Sequence, residues 1–507
     1  MTGRAGFRCV TLRYVTVSPA SGPADGRARR GLASAVTWAA PALLTLVVTA
    51  VGLDRAQPWR DELATWSAST RSVGDLVRLA GTIDAATGPY YLLMHGWLAL
   101  TGDSVIALRL PSLLAMTGAA ALTAVLARRL VDARAGLLAG LLFAVLPGTS
   151  RYAQEARPYA LATLLAVLAT LLLVEALRRP GWGRWAWYAA ALAALGLTHL
   201  IALTLLAPHA LAVLAAHRLG LTPSTDGPDR RRWRWAPAVL PALILVAPLV
   251  VVGRAQRGRQ LNWVHLVRPD DLTALPGGLT QSGVVGGVLV GVALLGAARL
   301  GWRALLPGGA VLLPVLLLFA AGAVVPLWVP RYLLFVVPFA CLLAGAALAA
   351  VPLPGALALV AVAGLLGLPD QAALRRTHEW PRSAPIDYQG VARIVAAGQQ
   401  PGDAVVYSPR HSWLFLDLGL EYHLRGERPR DALEVEGQAR RGDLWAAECD
   451  RPAECLAGVP RVWLVVTGRH ADPVAAVPGA KGAALRDGFT VQRVWQRPGL
   501  TVALLAR

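Results

Sequence analysis

Three short charged stretches interrupt an otherwise apolar chain of 507 residues. "PWRDELATWS" at 58–67 sets Asp61 beside Glu62. "SRYAQEARPYAL" at 150–161 sets Glu155 between Arg151 and Arg157. "PRYLLFVVPF" at 330–339 carries Arg331 and Tyr332. A carboxylate takes a proton and an arginine holds an anion, so these residue types suit a polar pocket at a membrane surface. Plainer roles stay open at this point. Asp61 and Glu62 open an expected helix carrying Leu63 and Trp66, where an acid also serves as an N-terminal charge. Glu155 can simply pair with Arg157.

The elements that must hold these residues are read from composition. The chain is 55% hydrophobic and 16% charged, against about 45–50% and about 25% in soluble domains. Runs of Leu, Ala and Val recur at lengths that reach the roughly 20 residues of a membrane crossing. About eleven transmembrane helices are expected, near 32–53, 104–128, 135–150, 157–177, 185–199, 200–217, 236–253, 284–299, 305–327, 332–350 and 354–369. The net charge of +19 sits in short loops rather than on a basic stripe, which excludes nucleic acid as a partner. Residues 1–31 are expected to be a disordered cytoplasmic head. The run at 32–53 is too long for a cleaved signal core and reads as an anchor.

Arginine clusters at 128–134, 178–184, 229–234 and 299–303 fall on one side of an alternating count, which predicts that side to be cytoplasmic. The protein is expected in the plasma membrane as a multi-pass protein with its N-terminus cytoplasmic. The first loop, 54–103, then lies outside. Within it, "TGPYYLLMHGWLALTG" suits a helix in the membrane interface, with Tyr90, Tyr91 and Trp97 at headgroup level. From 370 to 507 the pattern changes to an extracytoplasmic α/β domain: an amphipathic helix, a turn at Pro401-Gly402-Asp403, and strands in "DAVVYSP", "PRVWLVVTG" and "GLTVALLA". Cys449 and Cys455 are an expected disulfide if that domain faces an oxidising compartment.

"RDELATW", "TGPYYLLMHGWLALTGDSVIALRLPSLLA" and "RYAQEARPYALATLLA" occur in an order that resembles the bacterial family 39-like glycosyltransferases of the GT-C superfamily, with the protein O-mannosyltransferases and aminoarabinose transferases. "PRYLLFVVPF" resembles a later signature, and "YQGVARIVAAGQQPGDAVV" the start of a soluble domain that some members carry. The implied fold class is an α-helical polytopic GT-C-like catalytic domain, 32–369, followed by the small α/β domain. The implied reaction moves a sugar, mannose at the family level, from a polyprenyl-phosphate donor to a glycan, lipid or protein acceptor of the cell envelope.

The resemblance implies Asp61 as general base, matching the first acid of the family's "DE" pair. Glu62 would position the acceptor or exchange roles with it. Glu155 is the second acid, orienting the acceptor or holding a divalent Mg or Mn ion; no cofactor is otherwise implied. Arg331 and Arg157 are candidates for the donor phosphate. Arg109, a charge inside the second span, is expected to face the site. Tyr332, His199 and Tyr90 complete the substrate-binding candidates. Many family members carry His-Pro-Pro where this chain has Thr87-Gly88-Pro89. The rival readings are a transporter, which would place more charge at mid-membrane, a lipid-linked envelope polymerase or ligase, and a scaffold.

Overall fold

The computed structural model describes the backbone of residues 23–179, 181–221, 228–379 and 381–507, and side chains outside 23–33 and 228–232 within these ranges. Residues 1–22, most of the expected head, lie outside the described residues; the first helix begins at Pro23 rather than near 32. The helices up to the end of the membrane region are α1 (Pro23–Ala50), α2 (Arg60–Ser69), α3 (Val73–Thr82), α4 (Gly88–Thr101), α5 (Val105–Leu130), α6 (Ala133–Val145), α7 (Pro147–Ala153), α8 (Tyr159–Arg178), α9 (Trp182–Thr198), α10 (Leu206–Leu214), α11 (Pro228–Gln260), α12 (Pro269–Thr280), α13 (Gly283–Leu300), α14 (Leu305–Gly322), α15 (Val337–Leu348) and α16 (Leu353–Leu374). Helical segments occur at all eleven expected places. By length and apolarity alone, six described stretches suffice to cross a bilayer, or seven if a bent pair counts as one.

That bent pair is α6 and α7, which meet at 66°. The expected span at 135–150 therefore ends at Val145. Proline lacks the N–H that would continue the helix, so Pro147 starts a new one in a new direction. This break delivers Arg151 and the 154–158 turn to the first-loop side. A second proline has a local remedy. Pro111 inside α5 leaves the Ala107 carbonyl without its helical partner, and the Trp97 indole N–H of α4 donates to it at 2.8 Å.

Small residues let the spans approach. A Cβ on Gly296 would sit 1.8 Å from the Leu343 carbonyl oxygen, and one on Gly345 would sit 2.6 Å from that of Ala135. Thus α13, α15 and α6 stack backbone against backbone.

The first loop holds the two expected helices, α2 and α4, with α3 between them. Ser72 caps α3, and α4 buries Tyr90, Tyr91, Met94 and Leu98 while exposing Leu92, Leu93 and Leu100, as an interface helix requires.

The C-terminal unit opens with α17 (Tyr388–Gly398), whose buried Tyr388, Val391, Ala392 and Val395 keep helical spacing. Its strands are β1 (Ala404–Ser408), β2 (Arg430–Asp431), β3 (Glu434–Glu436), β4 (Ala447–Glu448), β5 (Arg461–Thr467), β6 (Thr490–Arg497) and β7 (Leu500–Ala506). The main sheet runs β2-β1-β5-β7-β6. β1 lies parallel to β2 and β5, while β7 lies antiparallel to β5 and β6. The three expected strands are β1, β5 and β7. β6 was not foreseen, because its residues are mostly exposed and form no apolar run. Cys449 and Cys455 are joined by a disulfide.

This unit shares one apolar core with the first loop: Leu63, Trp66, Leu79 and Tyr91 pack in the same cluster as Val391, Tyr407, Leu420 and Trp463. Trp66 meets Tyr422 edge to face at 5.2 Å.

Gly296→Ala is expected to force α13 from α15 and cost about 1–3 kcal/mol, read as a lower melting temperature in lipid. Gly291→Ala, which meets nothing within 4 Å, is the control and should change little. Equal effects would refute the close packing.

Candidate active site

Helix α2 places the two adjacent acids in different surroundings. Successive residues of a helix point about 100° apart. Glu62 turns inward. Its Oε1 accepts from Arg109 Nε at 2.8 Å and from the Ala156 N–H at 3.0 Å. Its Oε2 accepts from Arg109 Nη2 at 2.7 Å and from the Trp59 N–H at 3.4 Å, which also caps α2. Arg109 is 0% exposed. Its Nη1 donates to the carbonyls of Leu53 and Ala56, and its Nη2 also donates to that of Gln57. All five guanidinium N–H donors are engaged. Two expectations are therefore corrected. Arg109 does not face a substrate, and Glu62 does not share the place of Asp61; together they tie the start of the loop to α5 and to the 154–158 turn. The Arg109 field and its hydrogen bonds hold the Glu62 carboxyl far below its ordinary range despite burial.

Asp61 turns outward into a cavity of about 470 Å³. Its Oδ2 lies 3.2 Å from Arg331 Nη2. Burial pushes its carboxyl up, but Arg331, Arg157, Arg60 and Arg151 together more than offset this and hold it below 3.8. Arg331 also donates to the Tyr159 hydroxyl at 3.1 Å and sits over the Trp59 and Trp263 rings. Arg157 and Tyr332 line the same cavity, and Arg157 Nη1 donates to the Tyr91 hydroxyl at 3.3 Å.

Tyr91 of α4 is itself buried and lines no described cavity, but its hydroxyl bonds to Arg157 and Asp84, two residues of the cavity wall. Tyr90 is buried in the core and lines none of the described cavities, which corrects that expectation.

A second cavity, about 380 Å³, adjoins the first and shares Arg157, Gln260, Leu261 and Tyr332 with it. Its walls are largely apolar, with Leu200, Ile201, Val250 and Leu327, and it also holds His199, Arg254 and Arg257. The His199 ring lies 5.5 Å from that of Tyr332. Thr87, at the departure from the family pattern, lines this cavity and donates to Asp84 at 2.7 Å.

Glu155 lies apart from Asp61's cavity, in a third one of about 170 Å³ that meets the first at Trp263, Trp328 and Arg331. Its partner is Arg151, with Oε2 2.9 Å from Nη1, rather than Arg157. Burial pushes its carboxyl up against the pull of Arg151. Among the described residues no three His, Cys, Asp or Glu side chains come together as metal ligands.

Sequence reasoning missed several residues. Asp84, in left-handed backbone at φ 59°, lines the main cavity and is bonded by Tyr91, Thr87 and Gln260. Burial pushes it up, more than Arg157 pulls it down. Trp413 and Phe415, from the segment after β1, roof the main cavity. That segment is fixed by Arg410, buried among Asp417, Asp431 and Glu448. Glu379 faces Arg60 at 3.9 Å, and burial raises its carboxyl to about 7. The one available signal was the pairing of aromatic and charged residues in "YSPRHSWLF" and "THEW".

Glu62→Ala leaves Arg109 buried without its counter-charge, a loss of about 3–5 kcal/mol, and should lower the melting temperature sharply. Asp61→Asn, at a half-buried pair, should not. Glu379 gives a pH test. A carboxyl raised in the fold stabilises nothing when ionised; it costs stability as pH climbs from its unfolded value of 4.5 to about 7. Glu379→Gln should therefore be more stable than wild type above pH 7, by on the order of 3 kcal/mol at most, seen as a higher melting temperature, and differ little below 4.5. A variant equally stable with wild type at both ends would refute the burial penalty.

A family model described as dolichyl-phosphate-mannose-protein mannosyltransferase matches residues 89–251. No curated protein matches the chain by sequence. Among solved structures, ArnT from Cupriavidus metallidurans bound to undecaprenyl phosphate superposes with a TM-score of 0.60 at 17% identity, covering 92% of this chain and 97% of that one. The same protein in the apo state gives 0.59 at 17%, covering 94% and 98%. The Archaeoglobus fulgidus oligosaccharyltransferase in complex with Zn and sulfate gives 0.46 at 12%, covering 91% and 72%. The chain is a multi-pass membrane protein with the GT-C fold of ArnT, and its residues 89–251 match the mannosyltransferase family model.

Proposed function

We propose that this protein is a glycosyltransferase that moves a sugar from a polyprenyl-phosphate donor to a hydroxyl acceptor of the cell envelope, with inversion. The observation that carries this reading is the junction of two cavities. An apolar one edged by Arg157, Arg254 and Arg257 suits a lipid chain ending in phosphate, and it opens at Arg157 and Tyr332 onto the polar one that holds Asp61 and Arg331. The related ArnT was solved with undecaprenyl phosphate bound, which supports the same class of donor here.

The lipid phosphate is already a stable anion as a leaving group, so it needs cations more than a general acid. Arg157 and Arg331 stand where they neutralise it as the bond from sugar carbon to phosphate oxygen breaks. Asp61 takes the acceptor hydroxyl proton as the new carbon–oxygen bond forms on the opposite face of the sugar, and later releases it to solvent. The same arginines that hold Asp61 ionised make it a weak base, which suits a proton transfer that lags behind bond formation. Tyr332, beside Arg157, and His199, facing Tyr332, line the donor path. The sugar is mannose-like at the family level, and the acceptor is a glycan, a lipid or a protein.

The first-loop face and the C-terminal unit are assigned to the outside of the plasma membrane, and the N-terminus to the cytoplasm. The arginine distribution of the loops supports this, as does the Cys449–Cys455 disulfide.

The test is transfer from a panel of radiolabelled polyprenyl-phosphate sugars to an envelope acceptor fraction, with the protein in lipid. One donor should react, and Asp61→Asn should lose about 100-fold or more in rate while keeping its melting temperature. A folded Asp61→Asn protein with near-wild-type turnover would remove Asp61 from the base role.

A further inference from the structure

The third cavity is not used by the donor path, and its walls are polar in an unusual way. Glu155 is 1% exposed, His378 2%, Trp59 2% and Trp328 7%. Each lines the cavity, and each carries a buried polar atom without a hydrogen bond. These atoms are both oxygens of Glu155, both ring nitrogens of His378, and the indole nitrogens of Trp59 and Trp328. The ion pair of Glu155 with Arg151 does not provide hydrogen-bond geometry. His378 Nδ1 lies 3.8 Å from Glu62 Oε2, beyond hydrogen-bond reach. Buried polar groups are nearly always paired, so a set of unpaired donors and acceptors around one space calls for an occupant.

The mixture says what kind. The two indoles only donate, the carboxylate only accepts, and the imidazole does one of each. A hydroxyl does both. The three arginines that line the space are ion-paired, Arg151 with Glu155, Arg382 with Asp370 and Arg331 with Asp61, so an anionic group gains less there than beside unpaired cations. Trp59, Trp263 and Trp328 line the space, and aromatic rings suit the C–H face of a sugar ring. The space, about 170 Å³, suits one ring. It meets the main cavity at Arg331, the residue paired with Asp61.

We infer that this third cavity is the acceptor subsite, and that it takes a neutral, hydroxyl-rich group, a single sugar ring at the acceptor's end. The inference rests on reading the neighbouring cavities as the donor path. It also separates the two substrates: the donor enters between α8 and α11 past His199, and the acceptor from the side of Thr377, His378 and Arg382, so that they meet across Arg331.

Saturation-transfer NMR on the full-length protein in nanodiscs tests this with methyl glycosides of neutral monosaccharides, titrated into the millimolar range. Binding of polyprenyl phosphate is measured alongside. Thr377→Phe fills the cavity and His378→Leu removes two unpaired nitrogens at similar volume; either one decides the matter if it keeps the wild-type melting temperature. At least one glycoside should bind saturably and be weakened about tenfold or more by the variant, as loss of one or two hydrogen bonds implies, while polyprenyl-phosphate binding is unchanged. No glycoside binding, or binding equal in the variant, would overturn the assignment and leave the cavity to ordered water. If polyprenyl phosphate fails to bind while the glycoside still does so in a variant-sensitive way, the donor reading falls and the sugar subsite stands.

Discussion

The buried pair of Glu62 and Arg109 is the constraint on which the site depends. An arginine inside the protein is tolerable only with a counter-charge and with its donors engaged. Here one carboxylate and three carbonyls supply both. The carbonyls belong to the chain leaving α1, the carboxylate to α2, the guanidinium to α5, and the Ala156 N–H that completes the set belongs to the turn before α8. Four pieces distant in sequence are thus pinned at one point. Asp61 follows from this, because once Glu62 is locked inward its neighbour must face the cavity. Two adjacent acids do different work because a helix cannot point both the same way.

The C-terminal unit extends the same logic outward. It does not hang from the membrane region as a separate bead; it completes the core of the first loop. Trp66 meets Tyr422, and the Trp66 indole and Arg425 both reach Asp103. Arg259 of α11 pairs with Asp443 at 2.5 Å. These contacts hold Trp413 and Phe415 over the cavity, so the reaction space is walled by the first loop, the α7–α8 turn, the segment before α15 and the sheet unit together. Burying one core from two chain regions also means that the roof cannot lift without exposing apolar surface to water.

Much of the architecture was legible because the bilayer imposes a strong pattern. Long apolar runs marked where the helices lie, and short apolar runs marked β1, β5 and β7. The break at Pro147 was legible in principle, since a proline inside a span carries a known cost, yet the run at 135–150 was read as continuous. Site residues were legible as types but not as directions. Asp61, Arg157, Arg331, Tyr332 and His199 line adjoining cavities. Arg109 was assigned to a substrate because a charge near a span needs either a cavity or a partner, and sequence does not say which. Tyr90 and Tyr91 differ only by one step of a helix. Asp84, His378 and Glu379 reach their places through tertiary contacts with α11, α7 and α2, which no local pattern records.

The most direct measurement is equilibrium binding of a polyprenyl phosphate to purified protein in nanodiscs, comparing wild type with Arg157→Gln and with Arg303→Gln, a cation at the far end of α13. Saturable binding that is lost in Arg157→Gln and kept in Arg303→Gln is the predicted result, since Arg157 stands where the apolar and polar cavities join. Binding that survives Arg157→Gln unchanged would put the lipid phosphate elsewhere and contradict the account.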